Sequence, residues 1–81
     1  MTEGELRDAV LGALGEVAPE ADPATLRADV ALRDQLDIDS MDFLNFVIGV
    51  HEATGVDIPE ADYDRLVTLD DFVSYLSGKA G

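Results

Sequence analysis

The sequence predicts a small all-α bundle of three main helices plus one short helix, with a long loop between the first and second main helices. Three observations carry that expectation. Apolar residues recur at helical spacing in three stretches, and no stretch alternates as a strand would. Start and stop signals bracket those stretches. Hydrophobic residues make up 47% of the chain, too many for a disordered segment. At 81 residues the chain has room for one core, so 1–81 reads as a single domain.

The first helix is expected over Thr2 to Val17, where Leu6, Val10, Leu14 and Val17 share a face with Ala9 and Ala13 beside them. Pro19-Glu20-Ala21-Asp22-Pro23 ends it. The connection that follows carries Leu26, Val30, Leu32, Leu36 and Ile38, too apolar for a free linker, so it should lie across the core with a short helical turn near Leu32 to Leu36. The second main helix is expected from Ser40 to Ala53, with Asp39 as N-cap, Asp42 as its capping-box partner and Gly55 at its end. This helix carries two apolar stripes, one of Phe43, Phe46, Val47 and Val50 and another of Met41, Leu44 and Ile48. A surface helix needs one stripe for the core. Two readings of the other stand open: a wider buried face or an exposed partner surface. Pro59 suits the first position of a short helix from Glu60 to Asp64 that buries Tyr63. Thr68-Leu69-Asp70-Asp71 resembles a capping box for the last helix, with Leu69, Phe72, Val73 and Leu76 inward and Ser77-Gly78 at its end.

Composition excludes several functions. With no cysteine there is no disulfide, no thiolate metal site and no cysteine nucleophile, so any thiol the protein uses comes from a cofactor. The acidic opening Met1-Thr2-Glu3-Gly4-Glu5 argues against a signal peptide, and no apolar run approaches a membrane span. A soluble cytoplasmic monomer is the expectation. Eighteen acids face five bases, and from Asp34 to Asp64 there is no lysine or arginine. Such a surface repels nucleic acid and anionic membranes and attracts basic patches on protein partners. By itself the charge favours the plainer reading, a solvated face that serves solubility.

One serine stands out. In Leu36-Asp37-Ile38-Asp39-Ser40-Met41-Asp42-Phe43-Leu44, a polar loop gives way to a helix start with Ser40 in the first turn. Amides there have no internal partner, and a phosphate meets the positive end of the helix dipole. Catalysis fits poorly. His51, the one histidine, lies eleven residues along the same helix, about 16 Å of axial rise away, and a nucleophile needs a base within hydrogen-bond reach. An EF-hand loop starting at Asp37 fails at Met41, Asp42 and Ile48, which would stand at positions 5, 6 and 12. No metal site is assigned. What remains is attachment.

The same segment, together with Gly55-Val56-Asp57-Ile58-Pro59 at this spacing, resembles the acyl carrier protein family over nearly the whole chain. The resemblance implies that Ser40 carries 4′-phosphopantetheine, added from coenzyme A by a phosphopantetheinyl transferase, with Asp39 next to the transferase's magnesium site. It implies that Met41, Leu44 and Ile48 touch partner enzymes, and that Asp42, Glu52, Asp57 and Glu60 meet basic residues on those partners, which load, condense or transfer acyl groups. It places Phe46, Val47, Val50, Ile58, Leu66 and Leu69, with Phe43, near a pocket that shelters an acyl chain. The carrier itself does no catalysis; it presents intermediates of fatty-acid, polyketide or specialised lipid biosynthesis.

The chain departs from housekeeping fatty-acid carriers, whose second main helix usually bears several acids in its second half. Here Asn45, Gly49 and His51 stand there, Glu52 remains, Phe43 and Phe46 are bulkier, and Gly49 weakens the helix by about 1 kcal/mol relative to alanine. A specialised pathway with its own partners is the expectation. Two alternatives are an aminoacyl or peptidyl carrier, which usually has Gly-Gly-x-Ser, and an acidic interaction module with no prosthetic group.

Overall fold

Capping boxes set where the three long helices begin. In the computed structural model, which describes residues 1–80, the Glu5 N–H donates to Thr2 Oγ1 at 3.2 Å and the Thr2 N–H donates to Glu5 Oε1 at 3.0 Å. This opens α1 (Glu3–Val17). A four-residue turn, α2 (Leu32–Gln35), follows a long loop. Asp39 and Asp42 cap α3 (Ser40–Thr54), and Gly55 closes it in the left-handed region at φ 72°. A 3₁₀ helix, Glu60–Arg65, leads to α4 (Leu69–Ala80). There the Asp71 N–H donates to Thr68 Oγ1 and the Thr68 N–H to Asp71 Oδ2, both at 3.0 Å. The all-α expectation holds, with no strand among the described residues.

Three details differ from the sequence reading. The last helix does not stop at Ser77-Gly78 but runs on through Gly78 to Ala80. A glycine stops a helix when it turns left-handed, and among the described residues Gly55 alone has a positive φ. Pro59 is the residue before the 3₁₀ helix, at ψ 145°, with the helix starting at Glu60 and extending to Arg65. Gly49 does more than weaken α3. A Cβ at that position would lie 3.3 Å from the Ala13 Cβ, tighter than ordinary contact. The missing side chain is what lets α1 and α3 approach closely.

The core gathers Leu6, Val10 and Leu14 from α1, Phe46, Val47 and Val50 from α3, and Leu69, Phe72 and Leu76 from α4. The long loop closes over it, as its apolar residues predict: Leu32 and Ile38 are buried, and Leu26, Val30 and Leu36 are half-buried. Its backbone is tied down by Gln35. The amide Nε2 donates to the carbonyls of Arg27 at 2.7 Å and Val30 at 3.0 Å, while Oε1 accepts from the Arg27 N–H at 2.9 Å. The Leu32 N–H to Val67 O bond (2.9 Å) and the Asp70 N–H to Ala28 O bond (3.1 Å) fasten the loop to the start of α4.

The 3₁₀ helix is fastened from outside. Tyr75 on α4 is buried, and its hydroxyl donates to Asp62 Oδ2 at 2.6 Å. Arg65 and Lys79 lie over its ring, 5.8 and 5.5 Å from the centroid. Burial first, and then the hydrogen bond to the Asp62 carboxylate, push the Tyr75 hydroxyl from the ordinary 10.0 up to about 12, against the opposing pull of Arg65. The neutral phenol is the form the fold stabilises. Its contribution is complete below pH 10 and is lost as pH rises from about 10 to about 12. Denaturation midpoints measured across that interval should fall. Tyr75→Phe should lower stability by about 1.5–3 kcal/mol near neutrality, the range for a hydrogen bond to a charged group, and flatten the alkaline limb.

Candidate functional site

Ser40 is the first residue of α3, and it is exposed. The capping box surrounds it: the Asp42 N–H donates to Asp39 Oδ1 at 2.8 Å, and the Asp39 N–H donates to Asp42 Oδ2 at 3.3 Å. Both flanking carboxylates are thereby held against the backbone, which fixes the residue at which the helix starts and so the direction in which Ser40 leaves it. The Ser40 and Met41 amides, at the first two positions, have no partner within the helix. They face the side on which a group attached to Ser40 would stand, and the helix dipole favours an anion there.

Beside Ser40 lies a cleft of about 470 Å³. Phe43 and Leu44 of α3 form one wall. Tyr63, Leu66 and Val67 form the other, and the charged residues of the lining are Arg33 of α2, Glu60 and Asp64. Arg33 escaped the sequence reading. Its signal was there, since it is the last base before the stretch from Asp34 to Asp64 that has none. The turn of α2 carries it to the cleft that Ser40 also lines. A phosphodiester at Ser40 would stand at the start of a helix, beside a partly apolar cleft for the arm beyond it, whose charged lining is Arg33 with Glu60 and Asp64. The residues present fit the group.

The structure divides the α3 stripes cleanly. Phe46, Val47 and Val50 are buried, whereas Met41, Leu44 and Ile48 are 66%, 39% and 45% exposed. The second stripe is thus a free apolar surface and not extra core. Around it Glu52, Asp57 and Glu60 are exposed and Asp42 is half-exposed. The Asp57 side chain is 96% exposed. His51 is a surface residue, as its place in the sequence suggests, and it has a local role. Its Nδ1–H donates to Val56 O at 2.8 Å, with Asp57 Oδ1 at 3.7 Å, so it holds the segment after α3 against the helix end.

The residues expected around an acyl pocket are not all brought together at one opening. Phe43 and Leu66 line the Ser40 cleft. Val47 and Ile58 line a separate one of about 210 Å³ beside His51 and Asp57. Phe46, Val50 and Leu69 are wholly buried in the core. Tyr63, which sequence reading treated as a buried anchor, is half-buried and lines both clefts. A helical position with polar neighbours looks the same in sequence whether its ring closes the core or faces a cleft.

An exposed serine at a helix start, no base beside it in sequence, an apolar stripe and acids around it define a class: a small helical protein that carries a group and presents it to others. The comparisons agree. The family described as phosphopantetheine attachment site matches residues 5–76. The chain is 31% identical over 75 residues to an acyl carrier protein of Bdellovibrio bacteriovorus, covering 93% of this chain and 90% of that protein. It is 32% identical over 72 residues to one of Campylobacter hominis, covering 89% and 85%. It is 34% identical over 71 residues to one of Renibacterium salmoninarum, covering 84% and 88%. The chain belongs to the acyl carrier protein family, non-catalytic carriers whose prosthetic group is 4′-phosphopantetheine.

The capping geometry separates two roles of Asp39. Asp39→Ala should cost about 1 kcal/mol of stability, whereas Asp39→Asn, which keeps a cap, should cost a few tenths at most. Urea denaturation of both variants checks this. Equal losses in the two would mean that the carboxylate charge, and not the cap, is what α3 needs.

Proposed function

We propose that Ser40 is the attachment point, and that the chain acts as a single cytoplasmic carrier domain for acyl intermediates of a specialised lipid or secondary-metabolite pathway. The observation that carries the reading is the capped helix start, which leaves Ser40 exposed beside Arg33 and an apolar cleft within the span that matches the family. In the modifying enzyme the Ser40 hydroxyl attacks the β-phosphorus of coenzyme A. A serine phosphodiester forms, the pyrophosphate bond breaks, adenosine 3′,5′-bisphosphate leaves, and the hydroxyl proton passes to a base of that enzyme. When bound, the group supplies a terminal thiol on which acyl groups ride as thioesters activated for transfer, a chemistry that this cysteine-free chain cannot provide.

The chain's own residues then do three things. The amides at the start of α3 and the Arg33 guanidinium offset the phosphate charge. The Met41, Leu44 and Ile48 stripe offers a modest apolar contact. Asp42, Glu52, Asp57 and Glu60 steer basic docking patches, which favours fast encounter and fast release over tight binding. Asn45, Gly49 and His51, where housekeeping carriers bear acids, thin the charge along the second half of α3 and point to partners other than the core fatty-acid enzymes. Exposed charge pairs such as Arg27–Asp29, at 3.6 Å, contribute little to stability. Most of the acidic surface is therefore free to serve recognition.

Incubation with coenzyme A and a promiscuous phosphopantetheinyl transferase should add one phosphopantetheine to the intact mass. Ser40→Ala should abolish the gain while leaving the helical circular dichroism signal unchanged. An unchanged wild-type mass would favour an acidic interaction module. The loaded protein should also be a poor substrate for a housekeeping malonyl transferase and condensing enzyme; turnover equal to that of a housekeeping carrier would remove the specialised-pathway reading.

A further inference from the structure

The interior beside the Ser40 cleft is closed by aromatic rings. Phe43 touches three of them edge-on, with centroids 6.3 Å from Phe46, 6.2 Å from Tyr63 and 6.3 Å from Phe72. Behind it Phe46 and Phe72 stand 4.8 Å apart, and both are wholly buried. At 4.8 Å two rings are in contact, and no methylene passes between them. Three elements contribute to the group: α3, the 3₁₀ helix and α4. Phe43 and Tyr63 line the cleft and pack against the buried cluster that holds Phe46 and Phe72 together with Leu6, Leu14 and Leu76. The 3₁₀ helix that bears Tyr63 is tied to α4 by the Tyr75–Asp62 hydrogen bond.

We propose that this aromatic group makes the protein a carrier of short, compact acyl groups, held at the mouth of the cleft against the edges of Phe43 and Tyr63, and that it bars long aliphatic chains from the core. The inference rests on Ser40 as the attachment point. Letting a long chain in would mean parting rings that are already packed at contact distance, and a close-packed interior opens only by giving up those contacts. A cargo at the mouth loses none of them. The cleft of about 470 Å³ is open to solvent at Ser40, so an acyl group longer than it can cover leaves its remaining methylenes in water. Phe43 and Tyr63 are therefore the residues that set cargo length. Phe43 is half-buried, Tyr63 likewise, so either can be truncated without emptying the centre of the core.

The test uses the full-length protein loaded by transferase with acetyl-, butyryl-, octanoyl- and dodecanoyl-phosphopantetheine, with intact mass confirming each adduct. Hydroxylamine then cleaves the thioester to the hydroxamate and the free thiol, and the rate reports how far the carbonyl is shielded. Octanoyl and dodecanoyl forms should be cleaved within about twofold of the butyryl form, and the methyl resonances of Leu6, Leu14 and Leu76 should be the same in all of them. Tyr63→Ala and Phe43→Ala should each slow cleavage of the dodecanoyl form by about fivefold or more, with new shifts at those methyls. A wild-type protein that protects dodecanoyl fivefold over butyryl, or whose core methyls move with chain length, overturns the proposal, and this comparison needs no variant. Failure of every loading reaction would instead overturn the assignment of Ser40, and the cargo proposal with it.

Discussion

The contact between Phe46 of α3 and Phe72 of α4, 4.8 Å between ring centres and fully buried, is the constraint around which the molecule is arranged. A domain of this size has little apolar area to bury, and its largest side chains dominate the gain. Turning Phe46 inward fixes the rotation of α3 about its axis. Val47 and Val50 then face the core, while Met41, Leu44 and Ile48 must face solvent. The exposed stripe is thus a consequence of the buried one. One helix supplies an interior wall, an exposed apolar stripe and, at its first residue, the exposed Ser40.

That economy has a geometric condition, which α1 meets. For α3 to bury its inward face, α1 must come close, and the absence of a side chain at Gly49 against Ala13 allows it. The glycine weakens the isolated helix and tightens the bundle. Gly55 acts at the other end, where its left-handed turn releases the chain toward the 3₁₀ helix and His51 pins the segment that follows. The wall of the Ser40 cleft is positioned by the Gly55 turn, the His51–Val56 hydrogen bond and the Tyr75–Asp62 bond.

Charge is distributed with similar consequence. Of the five bases, Arg65 and Lys79 lie over Tyr75, Arg27 pairs with its neighbour Asp29, and Arg33 reaches the Ser40 cleft. Arg33 is the base that lines the cleft beside Ser40, in company with the carboxylates of Glu60 and Asp64.

Much of this was legible in the sequence because it depends on local rules. Helix starts follow from a side chain reaching a backbone amide three residues on, and Asp39-Ser40-Met41-Asp42 and Thr68-Leu69-Asp70-Asp71 announce them by composition alone. The all-α class follows from apolar spacing, and Ser40 from the boundary where one pattern replaces another. Gly78 misled because a glycine's effect depends on whether its backbone turns left-handed, which the residue permits but does not require. The remaining features are contacts between segments distant along the chain. Which α3 stripe is buried depends on what α1 and α4 offer it; Arg33 matters because a turn carries it to the cleft; and Phe43, Phe46, Tyr63 and Phe72 become one aromatic group once three elements meet. The chain by itself determined where its helices begin and that Ser40 stands at the first position of one of them, since those are set within a few residues of backbone. Only the tertiary structure decided what lies beside that residue, because the cleft and the aromatic group behind it are made by side chains that meet across the bundle.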